Sequence, residues 1–219
     1  MNVFDILGPV MIGPSSSHTA GAVRLGRVAL ALLGQQPCSA LIELHGSFAK
    51  TYKGHGTDKA ITAGILGFAT DDARIRFAPQ LAKDSGVCVT IRTVELENAH
   101  PNTARITLTA KDGSAVTVQG ASVGGGSVLV NRVNGMEVEL TGQYTSLIVQ
   151  HRDAPGTIAA VTDLLAAHGA NICNFRLSRQ KKGGVAVMTI DTDGSLGPEI
   201  NRQIQSLPNV LASTLLPCI

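Results

Sequence analysis

The sequence predicts an α+β fold in two domains, 1–142 and 143–219, and three observations carry that reading. The first half opens with helical patterns and closes with short alternating strands. The second half reads β-α-β-β-α-β, the order of a ferredoxin-like split βαβ domain. Length agrees, because 219 residues with 44% hydrophobic content can bury sizeable cores without disulfide staples. The halves join near Leu140-Thr141-Gly142-Gln143.

In the first half, a Ser-rich loop at 15–17 leads into a small-residue helix from about Thr19 to Leu33, stopped by Gly34. Ala40 to His45 is strand-like. Residues 46–56, GSFAKTYKGHG, form a glycine-punctuated segment, after which Thr57-Asp58 can cap a helix to about Phe68. Beyond Pro79 the chain alternates in strands at 87–94, 103–110, 115–119, 127–133 and 136–140, expected to pair antiparallel. Gly124-Gly125-Gly126 interrupts them, as at a bulge or a close backbone approach.

In the second half, Ser146 to Gln150 reads as a buried strand and His151 to Gly156 as its exit loop. Thr157 to His168 follows as a helix with Ile158, Val161 and Leu165 on one face, and Gly169 stands where a stop is needed. Asn171 to Arg179 and Val185 to Asp191 are strands joined by the turn Gln180 to Gly184. Pro198 to Ser206 forms the second helix and Val210 to Leu216 the last strand.

Composition excludes several classes. Net charge is +2 with no Lys/Arg block, and aromatics are 3% with no Trp, so no nucleic-acid footprint is visible. Charged residues are 16%, below the roughly 25% of ordinary domains, as expected where a partner covers surface. The apolar run Val28 to Leu33 is far short of the ~20 residues of a membrane span. The start, MNVFDILGPV, lacks the pattern of a signal peptide. Cys38, Cys88, Cys173 and Cys218 form neither a disulfide framework, a zinc spacing nor a close-set cluster motif, so a reducing cytoplasm is expected. Cys88 and Cys173, in apolar strands, are expected buried, and Cys218 exposed.

Two segments carry chemistry. In Gly13-Pro14-Ser15-Ser16-Ser17-His18-Thr19-Ala20-Gly21, hydroxyls and a His precede a helix whose first turn is small residues. Free N–H groups and the helix dipole make such an end a seat for a carboxylate or phosphate. A capped helix with spare serines is the plain alternative. In Lys50 to Lys59, His55 lies between two glycines, and its ordinary pKa near ~6.5 suits a general base. The alternative is a solvated turn. His45 faces either that cleft or the core. His100-Pro101-Asn102-Thr103 reads as a turn, and Ala121 to Ser127 as an anion nest or a flexible bulge.

The motifs GPSSSHTAGAVRLG, GSFAKTYKGHGTDKA, HPNT and ASVGGG together resemble the beta subunit of the bacterial iron–sulfur L-serine dehydratases. HRDAPGTIAAVTDLL and HGANICNFRLSR resemble an ACT domain, an amino-acid-sensing module. The first domain is also similar to the allosteric substrate-binding domain of some phosphoglycerate dehydrogenases, which leaves its loops open to a regulatory anion instead.

The resemblance implies conversion of L-serine to pyruvate and ammonia. It implies a [4Fe–4S] cluster on an alpha subunit rather than on this chain. His55 and His18 would be catalytic, with Ser15, Ser16, Ser17, Thr19 and Thr57 binding substrate. Asp153, Pro155, Gly156 and Asn171 would line an allosteric site between paired ACT domains, with Asn171 beside the first loop, and the chain would be a homo-oligomer through them. No metal ligand is expected on this chain, and neither nucleic acid nor membrane is an expected partner. The rival expectation is a purely regulatory amino-acid-binding subunit.

Overall fold

The computed structural model describes Gly13, residues 15–179 and residues 181–218. The MNVFDILGPV segment, Pro14 of the serine motif and Gln180 of the predicted turn lie outside the described residues. The chain divides into two compact units, Met1–Gly135 and Met136–Ile219.

The first unit has helices α1 (Ala22–Leu33), α2 (Gly46–His55), α3 (Thr57–Ile65) and α4 (Ala78–Asp84). Its strands are β1 (Pro37–Leu44), β2 (Cys88–Thr93), β3 (Thr103–Ala110), β4 (Ala115–Gly124) and β5 (Ser127–Val133), in spatial order β2-β1-β3-β4-β5. The first helix is shorter than predicted, because Ser17–Gly21 winds as a π-helical turn before α1 begins. Gly34, at φ +75°, stops α1 as expected, its N–H reaching the Leu30 carbonyl. α1 lies across α3 where both present glycine. A Cβ on Gly26 would stand 2.4 Å from the Ile61 carbonyl oxygen, and one on Gly64 would stand 2.0 Å from that of Val23.

Several expectations change. Residues 46–56 are not an irregular segment but the helix α2, entered through Gly46 at φ +58° and left through Gly56 at φ +72°. Gly56 also opens α3, so neither Thr57 nor Asp58 caps it, and α3 ends at Ile65 rather than near Phe68. A 3₁₀ turn, Ala73–Phe77, and α4 fill a stretch that the periodicity leaves unassigned. The 87–94 strand pairs parallel to β1, which the helical crossover between them permits, so the sheet is mixed rather than antiparallel throughout. β4 continues to Gly124, and the three glycines close a β4–β5 hairpin with a register shift between Ser122 and Gly124. The Gly126 carbonyl accepts from Arg24 Nη1 at 2.8 Å, which ties this turn to α1.

One face of the sheet buries Ile42, Leu44, Ile106, Leu108, Val118 and Val130, all within 1% of full burial, and α1 packs on it over β3, β4 and β5. On adjacent strands Arg92, Glu43 and Arg105 sit in register. The Glu43 carboxylate accepts from Arg105 Nε and Nη2 and from Arg92 Nε at 3.0 Å. Arg105 first, then Arg92, hold it below its ordinary pKa of 4.5 against the opposing effect of burial.

The second unit begins with β6 (Met136–Leu140) and continues as β7 (Thr145–Arg152), α5 (Thr157–Ala167), β8 (Asn171–Arg179), β9 (Val185–Asp193), α6 (Pro198–Gln205) and β10 (Val210–Leu216). From β7 onward this is the predicted ferredoxin-like order, folded as an antiparallel sheet β10-β7-β9-β8. Its core joins Leu147, Val149, Val161, Leu165, Met188, Ile190, Ile200 and Ile204. Each fully buried side chain of this kind contributes about 1.5–3 kcal/mol. Gly169 stops α5 at φ +69°, and the Ala170 N–H returns to the Leu165 carbonyl at 3.0 Å. Ile158 does not join the core face; it is exposed, and Thr157 is buried with Val161 and Leu165 instead. Cys88 and Cys173 are exposed, contrary to expectation, because β2 and β8 are the edge strands of their sheets.

Candidate active site

The serine motif delivers His18 on the π turn. There the Gly21 N–H reaches the Ser16 carbonyl at 3.0 Å, five residues back, and the Thr19 N–H the Ser15 carbonyl at 2.9 Å. Such turns concentrate at functional positions. Close packing demands small residues: a Cβ on Gly21 would stand 2.1 Å from Ser122 Oγ. The anion seat expected from free N–H groups here is reduced, since the Thr19 and Gly21 groups bond within the turn and the His18 N–H donates to Ser15 Oγ at 3.3 Å.

His18 is 8% exposed and held from both sides. Its Nδ1 is 3.3 Å from Ser15 Oγ and its Nε2 3.4 Å from Ser47 Oγ. The ring meets Phe48 edge-on at 5.1 Å and His55 edge-on at 4.7 Å between centroids. Burial first, and then the neighbouring His55, hold His18 below the ordinary 6.5, so it is neutral at pH 7.

His55 arrives from a different element. It is the last residue of α2 and is exposed, and Gly56 in the left-handed region turns the chain directly into α3. The Gly-His-Gly-Thr-Asp motif is therefore an elbow between two helices, with His55 closing one and Thr57-Asp58 opening the next. Gly56 offers no side chain to the first N–H groups of α3, which leaves that end suited to an anion. Thr57 is fully buried, and among the described residues its Oγ1 has no hydrogen-bond partner; the same holds for Thr19 Oγ1 and Asp58 Oδ1.

The structure thus brings together Ser15, His18 and His55, with Ser16, Ser17 and Thr19 on the same turn. Ser47 and Phe48 complete the cluster and escaped the sequence reading, which saw no helix there. The signal available was Gly46: a chain reversal after a strand that sets the next two residues at a helix start. The Ser47 N–H bonds the Pro101 carbonyl at 2.7 Å, so the His100–Thr103 turn braces this helix. His45 is largely buried, with its side chain 12% exposed, and its part is structural. Its Nδ1 accepts from the Leu96 N–H at 3.1 Å and anchors the loop after β2.

In the second unit, Asp153, Pro155 and Gly156 line a cavity of about 400 Å³ with Ile158, Arg179 and Lys182. The Asp153 carboxylate accepts from the Gly183 N–H at 2.9 Å and from Arg179 Nη1 at 2.7 Å, and these bonds hold its pKa below the usual range. Asn171 is not beside this loop. It pairs with Asp193 at the opposite end of the sheet and donates to it at 2.6 Å, because α5 returns the chain to the start of β7 before β8 begins. His151, absent from the predicted set, is 1% exposed with a partnerless Nε2.

Among the described residues no group of three or more His, Cys, Asp or Glu could hold a metal ion. The four cysteines are free and none belongs to such a group, so no donor set among the described residues fits an iron–sulfur cluster. No described helix is long and apolar enough to cross a membrane.

Fold and side chains define a class: an α+β domain that carries a histidine–hydroxyl cluster, followed by a ferredoxin-like module. Family comparison agrees in both parts. The model described as "Serine dehydratase beta chain" matches residues 2–97, and the ACT domain model matches 145–209. The "Probable L-serine dehydratase, beta chain" of Bacillus subtilis (strain 168) is 44% identical over 213 residues, 97% of this chain and 96% of that one. The L-serine dehydratase beta chain of Peptoniphilus asaccharolyticus is 36% identical over 204 residues, 93% and 92% of the two chains. A D-3-phosphoglycerate dehydrogenase of Methanocaldococcus jannaschii is 29% identical over 133 residues, 61% of this chain and 25% of that one. The chain belongs to the serine dehydratase beta chain family and carries an ACT domain at its C-terminal side.

Proposed function

We propose that this chain is the beta subunit of an iron–sulfur L-serine dehydratase and contributes side chains to an active site shared with an alpha subunit in the reducing cytoplasm. The edge contact between buried, neutral His18 and exposed His55 carries the reading, because it places a base beside a second imidazole and two serine hydroxyls. The relatives' own description as L-serine dehydratase beta chains supports the substrate.

The reaction removes the α-proton and the β-hydroxyl of L-serine as water. The resulting enamine tautomerises and hydrolyses to pyruvate and ammonia. A [4Fe–4S] cluster, if held by the partner, would supply the Lewis acid that hydroxide, a poor leaving group, requires. His55 takes the α-proton, and its exposure leaves it open to substrate. His18, fixed by Ser15 and Ser47, sets the orientation of His55 and stays neutral beside it. Ser16, Ser17, Thr19 and Thr57, with the first N–H groups of α3, hold the substrate carboxylate.

The ACT half assembles two copies of the chain. β8 is an edge strand with Phe175 and Leu177 exposed on it, surface that an antiparallel copy would cover. That pairing carries the Asn171 end of one copy towards the Arg179 end of the other. It therefore supports an amino-acid site built from Asn171 of one copy and Asp153, Pro155 and Gly156 of its mate.

The test is His55→Asn in the complex co-purified anaerobically with its partner, assayed for pyruvate from L-serine. Turnover should fall about 10²–10⁴-fold while KM changes little. Unchanged turnover with altered activation by an amino acid would instead establish a regulatory subunit.

A further inference from the structure

L-Serine is a zwitterion, and the groups assigned above leave one of its charges unmatched. Hydroxyls, imidazoles and helix N–H groups serve its carboxylate and its α-proton; none of them neutralises an ammonium. Across the segments that build the site, residues 15–24 and 45–62, Asp58 is the sole acidic residue. It lies in the first turn of α3, next to Thr57 and three residues beyond His55.

Its Oδ1 is fully buried, and no donor among the described residues reaches it. Lys50, Lys53 and Lys59 are near in sequence, yet none of them satisfies that oxygen. A buried carboxylate oxygen without a donor is costly and persists where something else completes it. The partnerless Thr57 hydroxyl is on the adjacent residue, and α3, which carries both, packs against the π turn that bears His18 and the partnerless Thr19.

We propose that Asp58 is the specificity-determining residue of this site: its carboxylate receives the ammonium group of the amino-acid substrate. The assignment rests on the dehydratase reading above and adds what makes the substrate an amino acid rather than any hydroxy acid. Charge–dipole support of α3 would be a purely structural role for the same side chain. A pair of ligands separates the two roles.

The experiment compares the wild-type complex with Asp58→Asn, using L-serine and 3-hydroxypropanoate. The second compound keeps the carboxylate and the β-hydroxyl but lacks the ammonium, and is read as a competitive inhibitor. Loss of a charge-assisted hydrogen bond should raise KM for L-serine about 10- to 100-fold, with Ki for 3-hydroxypropanoate held within about twofold. Equal weakening of both ligands, or no change in either, overturns the assignment. Where the amide variant does not fold, Asp58→Ser, which keeps a residue favoured at helix starts, serves the same comparison. A wild-type complex that yields no pyruvate from L-serine overturns the dehydratase reading and this assignment together. Normal wild-type turnover with an unchanged variant overturns this assignment alone.

Discussion

At the scale of single residues, the site is built from groups that the folded chain leaves unsatisfied. Thr57 is the sharpest case, since its hydroxyl is fully buried and unpaired. An orphaned buried hydroxyl costs roughly 1–3 kcal/mol, and an isosteric apolar side chain removes that cost. Thr57→Val should therefore stabilise the isolated chain by about 1 kcal/mol in a urea melt while raising KM of the complex for L-serine. A loss of stability would mean that the hydroxyl has a structural partner. His18 adds a pH dependence of defined sign. Its folded pKa lies below the ordinary 6.5, so as pH falls past 6.5 the unfolded chain takes up a proton that the folded one resists. Stability should be full above that point and decline through the lowered folded value. The melting temperature measured at pH 7.5 and at pH 5.5 should show it, and His18→Asn should narrow the difference. None of this was legible in the sequence: it shows that Thr57 and His18 are polar, not that their surroundings are dry.

At the scale of elements, the legible parts are those whose glycines fall at ends. Gly34 and Gly169 stop α1 and α5 where the apolar period already breaks, so the sequence locates both C-terminal ends to within a residue, whereas the start of α1 is displaced by the π turn before it. α2 was missed because Gly46, Gly54 and Gly56 suggest a turn, and helix propensity counts against it. Tertiary packing overrides that propensity, with Phe48 fully buried and Ser47 held on the Pro101 carbonyl. The parallel pairing of β2 has no local signature, since a strand's direction is fixed by the route its crossover takes. The α1–α3 crossing makes a firm prediction at this scale. A methyl on Gly64 would lie 2.0 Å from the Val23 carbonyl oxygen and 2.9 Å from Gly26 Cα. Backbone cannot yield as a side-chain tip does, so Gly64→Ala should cost about 3 kcal/mol or more by denaturant unfolding. A cost under ~1 kcal/mol would mean that the helices can separate freely.

At the scale of the whole molecule, two cores make two folding units, and the second is complete in its own right. Its boundary is testable. β6 contributes a Glu139–Arg176 ion pair and places Met136 against Gln150, whose Nε2 lies 3.8 Å from the Met136 sulfur. Residues 136–219 should melt cooperatively alone, and residues 143–219, lacking β6, should melt roughly 4–8 °C lower for each ~1 kcal/mol lost. Equal melting temperatures would remove β6 from that unit.

The π turn at Ser17–Gly21 is, in topological terms, a helix holding one residue more than its length needs. Deleting Ala20 would let the segment relax into regular α-helix, a change that favours the backbone. It would also swing everything before the deletion by about 100° and draw it in by about 1.5 Å. His18 would then leave the edge of His55 and the reach of Ser47. The extra residue acts as a phase shifter between α1 and the serine motif, and a chain lacking it would be the better helix with its two histidines out of contact.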